Sequence, residues 1–440
     1  MTIQDIVKLV NEKNVSAISL WFTDVLGQLK TVTVSYKEIN DVLENGKFID
    51  GSSIEGFSRI QESDLLLLPD FDTFAIIPFD LNGGTKIARL ICDVAYPDGT
   101  PFEACPRQTL KRSLKKAVDQ GYTYFCGPEM EYFYFKDQNN TELLDQGSYF
   151  DLLSIDVGTR VRERTLSTLE KMGIQCECAH HEVAPSSHEI GLKYKDALTM
   201  ADAVITLKFI VKAVAREHEI YATFMPKPIA YENGSAMHTH QSLFKDDKNT
   251  FYDANDNYNL SSTAKSYTAG LLKYAPEFTM ICNQYINSYK RLVPGYEAPV
   301  YIAWGRANRT ALVRVPATRP GKKKACRIEY RAPDPACNPY LAFSVMLGSG
   351  LKGIEDNLEL RSVEEDDIYE MNNKIRKEKN IEALPSSLFE AKENFKASEL
   401  MKEILGTDLH KKLVENKQIE WDEFRLHVTD FEIKKYLPIL

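Results

Sequence analysis

Carboxylates and imidazoles recur two residues apart in this chain, each time among apolar or aromatic neighbours. Gly127-Pro-Glu129-Met-Glu131-Tyr offers two carboxylates, and Ala236-Met-His238-Thr-His240-Gln-Ser242 offers two imidazoles and a hydroxyl. Arg327-Ile-Glu329-Tyr-Arg331 sets a carboxylate between two guanidiniums. Strand side chains alternate faces, so each set points one way, with Met130, Tyr132, Ile328 and Tyr330 opposite. A fourth segment, His180-His-Glu182-Val-Ala-Pro-Ser-Ser-His-Glu189, adds two carboxylates around a Pro-Ser-Ser bend. Taken singly, a Glu-x-Glu pair is more often a solvated face, and Arg-x-Glu-x-Arg a surface ladder worth little. Gathered on a sheet buried on its other side, five glutamates would repel one another unless a cation balanced them. Oxygen-rich ligation with an imidazole favours Mg²⁺ or Mn²⁺ over zinc, and five carboxylates exceed the need of one ion. More than one ion beside arginines is what phosphoryl transfer demands.

A second basic stretch supports that chemistry. Asn287-Ser-Tyr-Lys-Arg291-Leu-Val-Pro-Gly-Tyr-Glu297 runs on to Asn308-Arg309 and Arg314. Forked guanidiniums pair with carboxylate or phosphate, which suits an acidic substrate and ATP together. The Pro-Gly-Tyr-Glu tract reads as a loop able to close over a site and exclude water. No GxxxxGK[ST] string is present. Gly348-Ser-Gly350-Leu-Lys-Gly353 matches GxGxxG, but an apolar helical run precedes it where a strand is required, so small residues easing helix packing explain it better. Cys176-x-Cys178 reads as two reduced thiols.

Positioning these groups requires a large core, and 440 residues with 43% apolar content supply it. A net charge of −9 argues against a nucleic-acid partner, and no apolar run approaches a membrane span. Eight cysteines without a CxxC pair, and an N-terminus unlike a signal peptide, point to a reduced cytoplasmic protein. The first hundred residues alternate short strands and turns, with strands expected at 15–22, 28–34, 65–69, 74–78 and 86–94. Tyr96-Pro-Asp-Gly-Thr-Pro is the best linker. Helices are expected at 106–119, 197–215 and 262–283, and 123–135 reads as a strand pair. The order suggests a small α+β domain followed by a larger α+β domain, without the alternation of a doubly wound fold.

The chain resembles a type I glutamine synthetase over essentially its whole length. The resemblance rests on Asp50-Gly-Ser-Ser-Ile, Gly127-Pro-Glu-Met-Glu, His180-His-Glu-Val-Ala-Pro, Asn233-Gly-Ser and His238-Thr-His-Gln-Ser-Leu. Asn287 to Pro299 and Arg327 to Leu341 complete seven strings in the family's order. It implies a β-grasp-like domain over 1–103 and a catalytic domain over 104–440 with a curved antiparallel sheet. It also implies a dodecamer of two stacked hexameric rings with active sites between subunits.

By resemblance, Glu131, Glu182 and Glu189 ligate one metal, and Glu129, His238 and Glu329 another, with two or three Mg²⁺ or Mn²⁺ ions per site. Glutamate falls to Gly234, Arg291 and Arg331, with Glu131 and His238 beside it. ATP falls to Glu177, His240, Ser242, Arg309, Arg314, Lys324 and Arg327. Ammonium falls to Asp50, Ser53, Tyr149 and Glu182, and Glu297 shields the intermediate. The implied reaction makes γ-glutamyl phosphate from glutamate and ATP, and ammonia then displaces phosphate to give glutamine.

The chain departs from the family pattern at three positions. Ser186-Ser187 stand where Gly-Gln is usual, and Ala236 where glycine is usual, which bears on substrate fit more than on the metals. Glu382 stands at the position of one subtype's adenylylated tyrosine, so the resemblance is to the subtype lacking it. Arg59 matches an arginine linked to glutamine feedback there, and other metabolite or protein effectors are open. Two alternatives remain: a ligase using an organic amine, which the intact Asp50, Ser53 and Tyr149 disfavour, and a non-catalytic relative, which should have lost ligands that are all present here.

Overall fold

The computed structural model describes residues 1–54, 56, 64–78, 86–152, 157–319 and 321–440. Five strands near the N-terminus form one sheet: β1 (Val15–Thr23), β2 (Leu29–Ser35), β3 (Lys47–Asp50), β4 (Asp64–Ile76) and β5 (Lys86–Ala95). Their order is β2-β1-β5-β4-β3, with β1 and β5 parallel and the other pairs antiparallel. The helix Ile3–Glu12 precedes them, started by a reciprocal Thr2–Asp5 capping box, and the helix Ile39–Asn45 crosses between β2 and β3. The expected strands at 65–69 and 74–78 are one strand, interrupted only by a register shift between Asp70 and Ala75.

The second sheet holds ten strands: β6 (Thr123–Phe135), β7 (Cys176–His181), β8 (Ser187–Leu192), β9 (Lys195–Asp196), β10 (Tyr221–Thr223), β11 (Met237–Lys245), β12 (Lys248–Asn249), β13 (Tyr301–Gly305), β14 (Ala311–Arg314) and β15 (Ile328–Tyr330). Its main path runs β13-β14-β15-β11-β6-β8-β7, antiparallel except for the β13–β14 pair. β6 corrects the strand-pair expectation. β11 pairs along one edge from Thr123 to Met130, with β10 continuing that edge from Phe133 to Phe135, while β9 and β8 share the other. Neighbours on both edges hold thirteen residues extended.

Helices bury the face of this sheet that carries Met130, Tyr132, Ile190, Met237 and Tyr330, all essentially without exposure. The helices Ala197–Glu217, Ser262–Cys282 and Pro339–Glu355 contribute to that core. The GxGxxG string lies inside Pro339–Glu355 and packs closely on Ser262–Cys282, as small residues in a helix allow.

The two sheets are joined by a buried ion cluster. Arg107, at the start of the helix Pro106–Asp119, donates to Asp70 of β4 (2.7 Å), Asp93 of β5 (2.9 Å) and Asp202 of Ala197–Glu217 (2.9 Å). The β1–β2 turn also docks on the second unit, its Leu26 carbonyl accepting from Gln284 (2.8 Å) and its Val25 carbonyl from Asn338 (3.1 Å).

Candidate active site

Strand register brings the acids together. Glu129 lies opposite His238, Glu131 opposite Glu189, His180 opposite Glu189, and Glu329 opposite both His240 and Arg314. Six strands thus deliver one polar row, while the alternate residues of the same strands form the core. The two-residue spacing meant what alternation says it means.

Within this row His238 Nδ1 sits 3.5 Å from Glu129, 3.7 Å from Glu329 and 3.8 Å from Glu131. Glu129, His238 and Glu329, which the resemblance sets around one metal, bring donor atoms within 4.8 Å of one another. The other trio is arranged differently. Glu189 groups with Glu131 and His238 on one side and with His180 and Glu182 on the other. His180 lies 3.2 Å from Glu189 and 3.5 Å from Glu182, and the sequence reading passed over it. The same alternation could have found it, since His180 and Glu182 are two apart.

The charges here are poorly balanced by protein alone. Burial, then the nearby Glu131 and Glu189 carboxylates, push the Glu182 carboxyl up to about 9. Burial likewise raises Glu131, whose Oε2 accepts one bond from the Ala236 amide (2.8 Å). Glu329 behaves oppositely: burial disfavours its charge, but Arg331, then His240, His238 and Arg314, hold it down to about 2. Glu129 also stays well below the usual range, because its histidine partners outweigh burial. Converging buried oxygens, one of them driven to protonate, form a donor set that divalent cations fit.

Two arginines face this cluster. Arg291 is 2% exposed, and its guanidinium donates to the carbonyls of Ala332 (2.6 Å) and Arg331 (3.2 Å). Arg331 donates to Glu329 (2.8 Å), and its buried Nε has no partner among the described residues. A buried cation hydrogen-bonded to carbonyls is suited to receive an anion. Gly234 lies beside it: a β-carbon there would meet the Pro226 carbonyl at 2.3 Å and Arg291 Cγ at 3.1 Å, so only glycine fits.

These groups share one cavity of about 190 Å³, also lined by Tyr149, Glu297, Arg309 and Arg314. Glu297 is exposed, at φ 56° in the loop after Arg291, and Lys227 stacks 3.9 Å from the neighbouring Tyr296 ring. A second cavity of about 210 Å³ is lined by Glu177, His240, Ser242, Lys324 and Arg327, five of the seven residues expected to take ATP, whereas Arg309 and Arg314 line the first. Glu129 and Cys178 line both. Arg327 Nε donates to His240 Nδ1 (3.3 Å), so His240 Nε2 carries the proton it gives to Glu129 (2.9 Å).

Not everything converges. Asp50 and Ser53 are exposed at the end of β3 and line neither cavity. Arg59 lies outside the described residues. Ala236 is not among the residues at positive φ, so this position asks nothing of glycine's backbone range.

A β-grasp sheet beside a curved sheet carrying acids, arginines and two joined cavities defines an ATP-dependent carbon–nitrogen ligase. The family description "Glutamine synthetase, catalytic domain" matches residues 103–436, and "Glutamine synthetase, beta-Grasp domain" matches 14–97. The chain belongs to the glutamine synthetase family. It is 48% identical to a glutamine synthetase of Staphylococcus aureus strain MRSA252, covering 99% of this chain and 98% of that protein. It is 47% identical to the Thermotoga maritima glutamine synthetase, covering 99% and 100%. Among solved structures, a GmaS/ADP complex superposes with TM-score 0.88 at 30% identity, covering 99% of each chain. Plasmodium falciparum glutamine synthetase has a TM-score of 0.89 over 99% of each chain, and at 24% identity it speaks to the fold alone. The protein makes glutamine from glutamate and ammonia with ATP, and its family uses divalent metal ions.

Proposed function

We propose the following division of labour in the cleft. Arg291 and Arg331 hold the glutamate carboxylates, with the Gly234 backbone alongside. Arg309, Arg314, Lys324, Arg327, His240 and Ser242 hold the nucleotide phosphates, and Glu177 its ribose. Glu129, His238 and Glu329 hold one Mg²⁺ or Mn²⁺, and Glu131, Glu182 and Glu189 another, with room for a third. Bound ions of this kind neutralise charge on a transferring phosphoryl group.

The residues then orient and shield. The γ-carboxylate of glutamate, fixed by its distance from Arg291 and Arg331, attacks the terminal phosphoryl of ATP, giving γ-glutamyl phosphate and ADP. A carboxylate is a poor acyl donor to an amine until phosphate becomes its leaving group. Ammonium enters beside Tyr149 and Glu182, and Asp50 and Ser53 complete that pocket from a neighbouring subunit. Asp50 takes the proton, and the ammonia so formed displaces phosphate. Glu297 closes the loop over the acyl phosphate and keeps water out.

The reading needs an oligomer, because Asp50 and Ser53 line neither of the two cavities described above. Leu426, Val428, Phe431, Leu437 and Ile439 leave an apolar C-terminal segment exposed, as a surface covered by another copy would be. We assign a dodecamer of two hexameric rings, a division between residues 103 and 104, and a cytoplasmic setting. Two structural facts fit that setting. Among the described residues no helix is long and apolar enough to cross a membrane, and all eight cysteines are free.

The observation that carries the assignment is Arg291, a buried cation bonded to carbonyls at the edge of a carboxylate cluster. Phosphate release should require ATP, ammonium and glutamate together. Arg291→Leu should raise the KM for glutamate about a hundredfold, the loss of a buried charge-assisted pair, while the KM for ATP holds. An unchanged glutamate KM would refute the assignment.

A further inference from the structure

Ser186 is the described residue whose conformation and bonding fit each other least expectedly. It sits in the β7–β8 turn at φ 62°, fully buried, where a side chain other than glycine is uncommon. The hydroxyl is fully used. Its Oγ accepts from the amides of Leu144 (2.7 Å) and Asp145 (3.1 Å), two donors of the segment that leads to Tyr149. Asp145 answers it: one carboxylate oxygen accepts from the Ser186 amide (3.0 Å), the Gly147 amide (2.9 Å) and His181 Nε2 (2.8 Å). The segment lies so close that a β-carbon on Gly147 would meet His181 Nε2 at 2.6 Å. Beyond it the Phe150 amide donates to the His181 carbonyl (3.1 Å), and the Tyr149 ring stands edge-on to His180 at 5.4 Å.

Asp145, His181 and His188 also lie close enough to suggest a metal site, but hydrogen bonding argues otherwise. Arg162 can only donate, so His188 Nδ1, 2.7 Å away, accepts, and its other nitrogen carries the proton. His181 faces the Glu182 carbonyl (2.7 Å) on one side and Asp145 on the other, acceptors both. The cluster is therefore a clamp between two segments. One segment carries Tyr149, and the other carries Glu182.

We infer that Ser186 is a positioning residue that sets amine selectivity, its hydroxyl fixing the spacing between Tyr149 and Glu182 so that the ammonium pocket admits ammonium and excludes an alkylamine. This rests on the ammonium pocket proposed above. Ser186→Gly removes the hydroxyl and relieves the backbone, so the variant should fold. Ser186→Ala removes the hydroxyl and keeps the β-carbon. In both, the ammonium KM should rise about tenfold, two neutral hydrogen bonds' worth, with kcat and the KM values for glutamate and ATP within about twofold. The preference for ammonium over methylamine, scored as phosphate release, should fall by a similar factor. A Tyr149→Phe variant is assayed in parallel. If it raises the ammonium KM while neither Ser186 variant changes ammonium KM or amine preference, Ser186 is merely structural and the inference fails alone. If Tyr149→Phe also changes nothing, the pocket reading fails and takes the inference with it. Equal losses toward all three substrates in the Ser186 variants would likewise overturn it.

Discussion

At the scale of single residues the site is defined by how badly its acids tolerate one another. Glu182, pushed up to about 9 by burial and its neighbours, is a charge the fold does not balance. Glu182→Gln should therefore leave the thermal midpoint of the metal-free protein equal or higher. The same variant should lose most of the rise that Mg²⁺ gives the native chain, and scanning fluorimetry with and without Mg²⁺ reads both signs. Asp145 is the converse. Burial opposes its charge, but His181 and the Gly147 and Ser186 amides win and hold it at about 2, below its ordinary 3.8. A depressed carboxylate contributes stability above its unfolded pKa and loses it as pH falls through the folded value. The native chain should lose stability between pH 4 and 2, and Asp145→Asn should be less stable at neutral pH yet flatter over that interval, as denaturant midpoints at each pH would show.

At the scale of elements, two-residue spacing was the legible signal, because alternation ties spacing to facing in any strand. It identified Glu129, Glu131, His238, His240 and Glu329 as one row, and register confirms it. What it could not convey was which strands adjoin. Nothing local says that β8 lies between β6 and β7, so the sharing of Glu189 between two groups and the part of His180 became visible only in the sheet. The strand pair expected over 123–135 is one strand, because long-range pairing on both edges holds the whole stretch extended. The role of Ser186 was equally hidden, since a positive φ leaves no mark on a serine. The loop bearing Glu297 makes its own test. Gly295 at φ 92° and Glu297 at φ 56° hold a tight course that places an exposed carboxylate over the cavity. Glu297→Ala should lower glutamine formation about a hundredfold while phosphate release falls less, water taking the acyl phosphate. The ratio of phosphate to glutamine, near unity in the native enzyme, is the readout.

At the scale of the whole molecule, the two sheets are fastened within one chain while the site is argued to be shared between chains. Arg107 ties Asp70 and Asp93 to Asp202 in a buried cluster, which fixes where the first sheet, and so Asp50, can reach. A site completed by a neighbour has a sharp signature. Asp50→Asn and Arg331→Leu should each be inactive alone. Co-expressed in equal amounts they should regain roughly a quarter of native activity, because one mixed interface in four carries both intact halves. Mixing after assembly should restore nothing until the subunits exchange.

Of the eight thiols, six are buried, Cys176 is partly covered and Cys178 is exposed. Cys178 also borders both cavities, between the acids and the residues assigned to the nucleotide. Burial of the sulfur, then Glu189 and Glu129, raise its pKa to about 11, so labelling calls for mildly alkaline buffer and patience. The reward is a dye at a single address, whose emission would follow each filling of the cleft in real time.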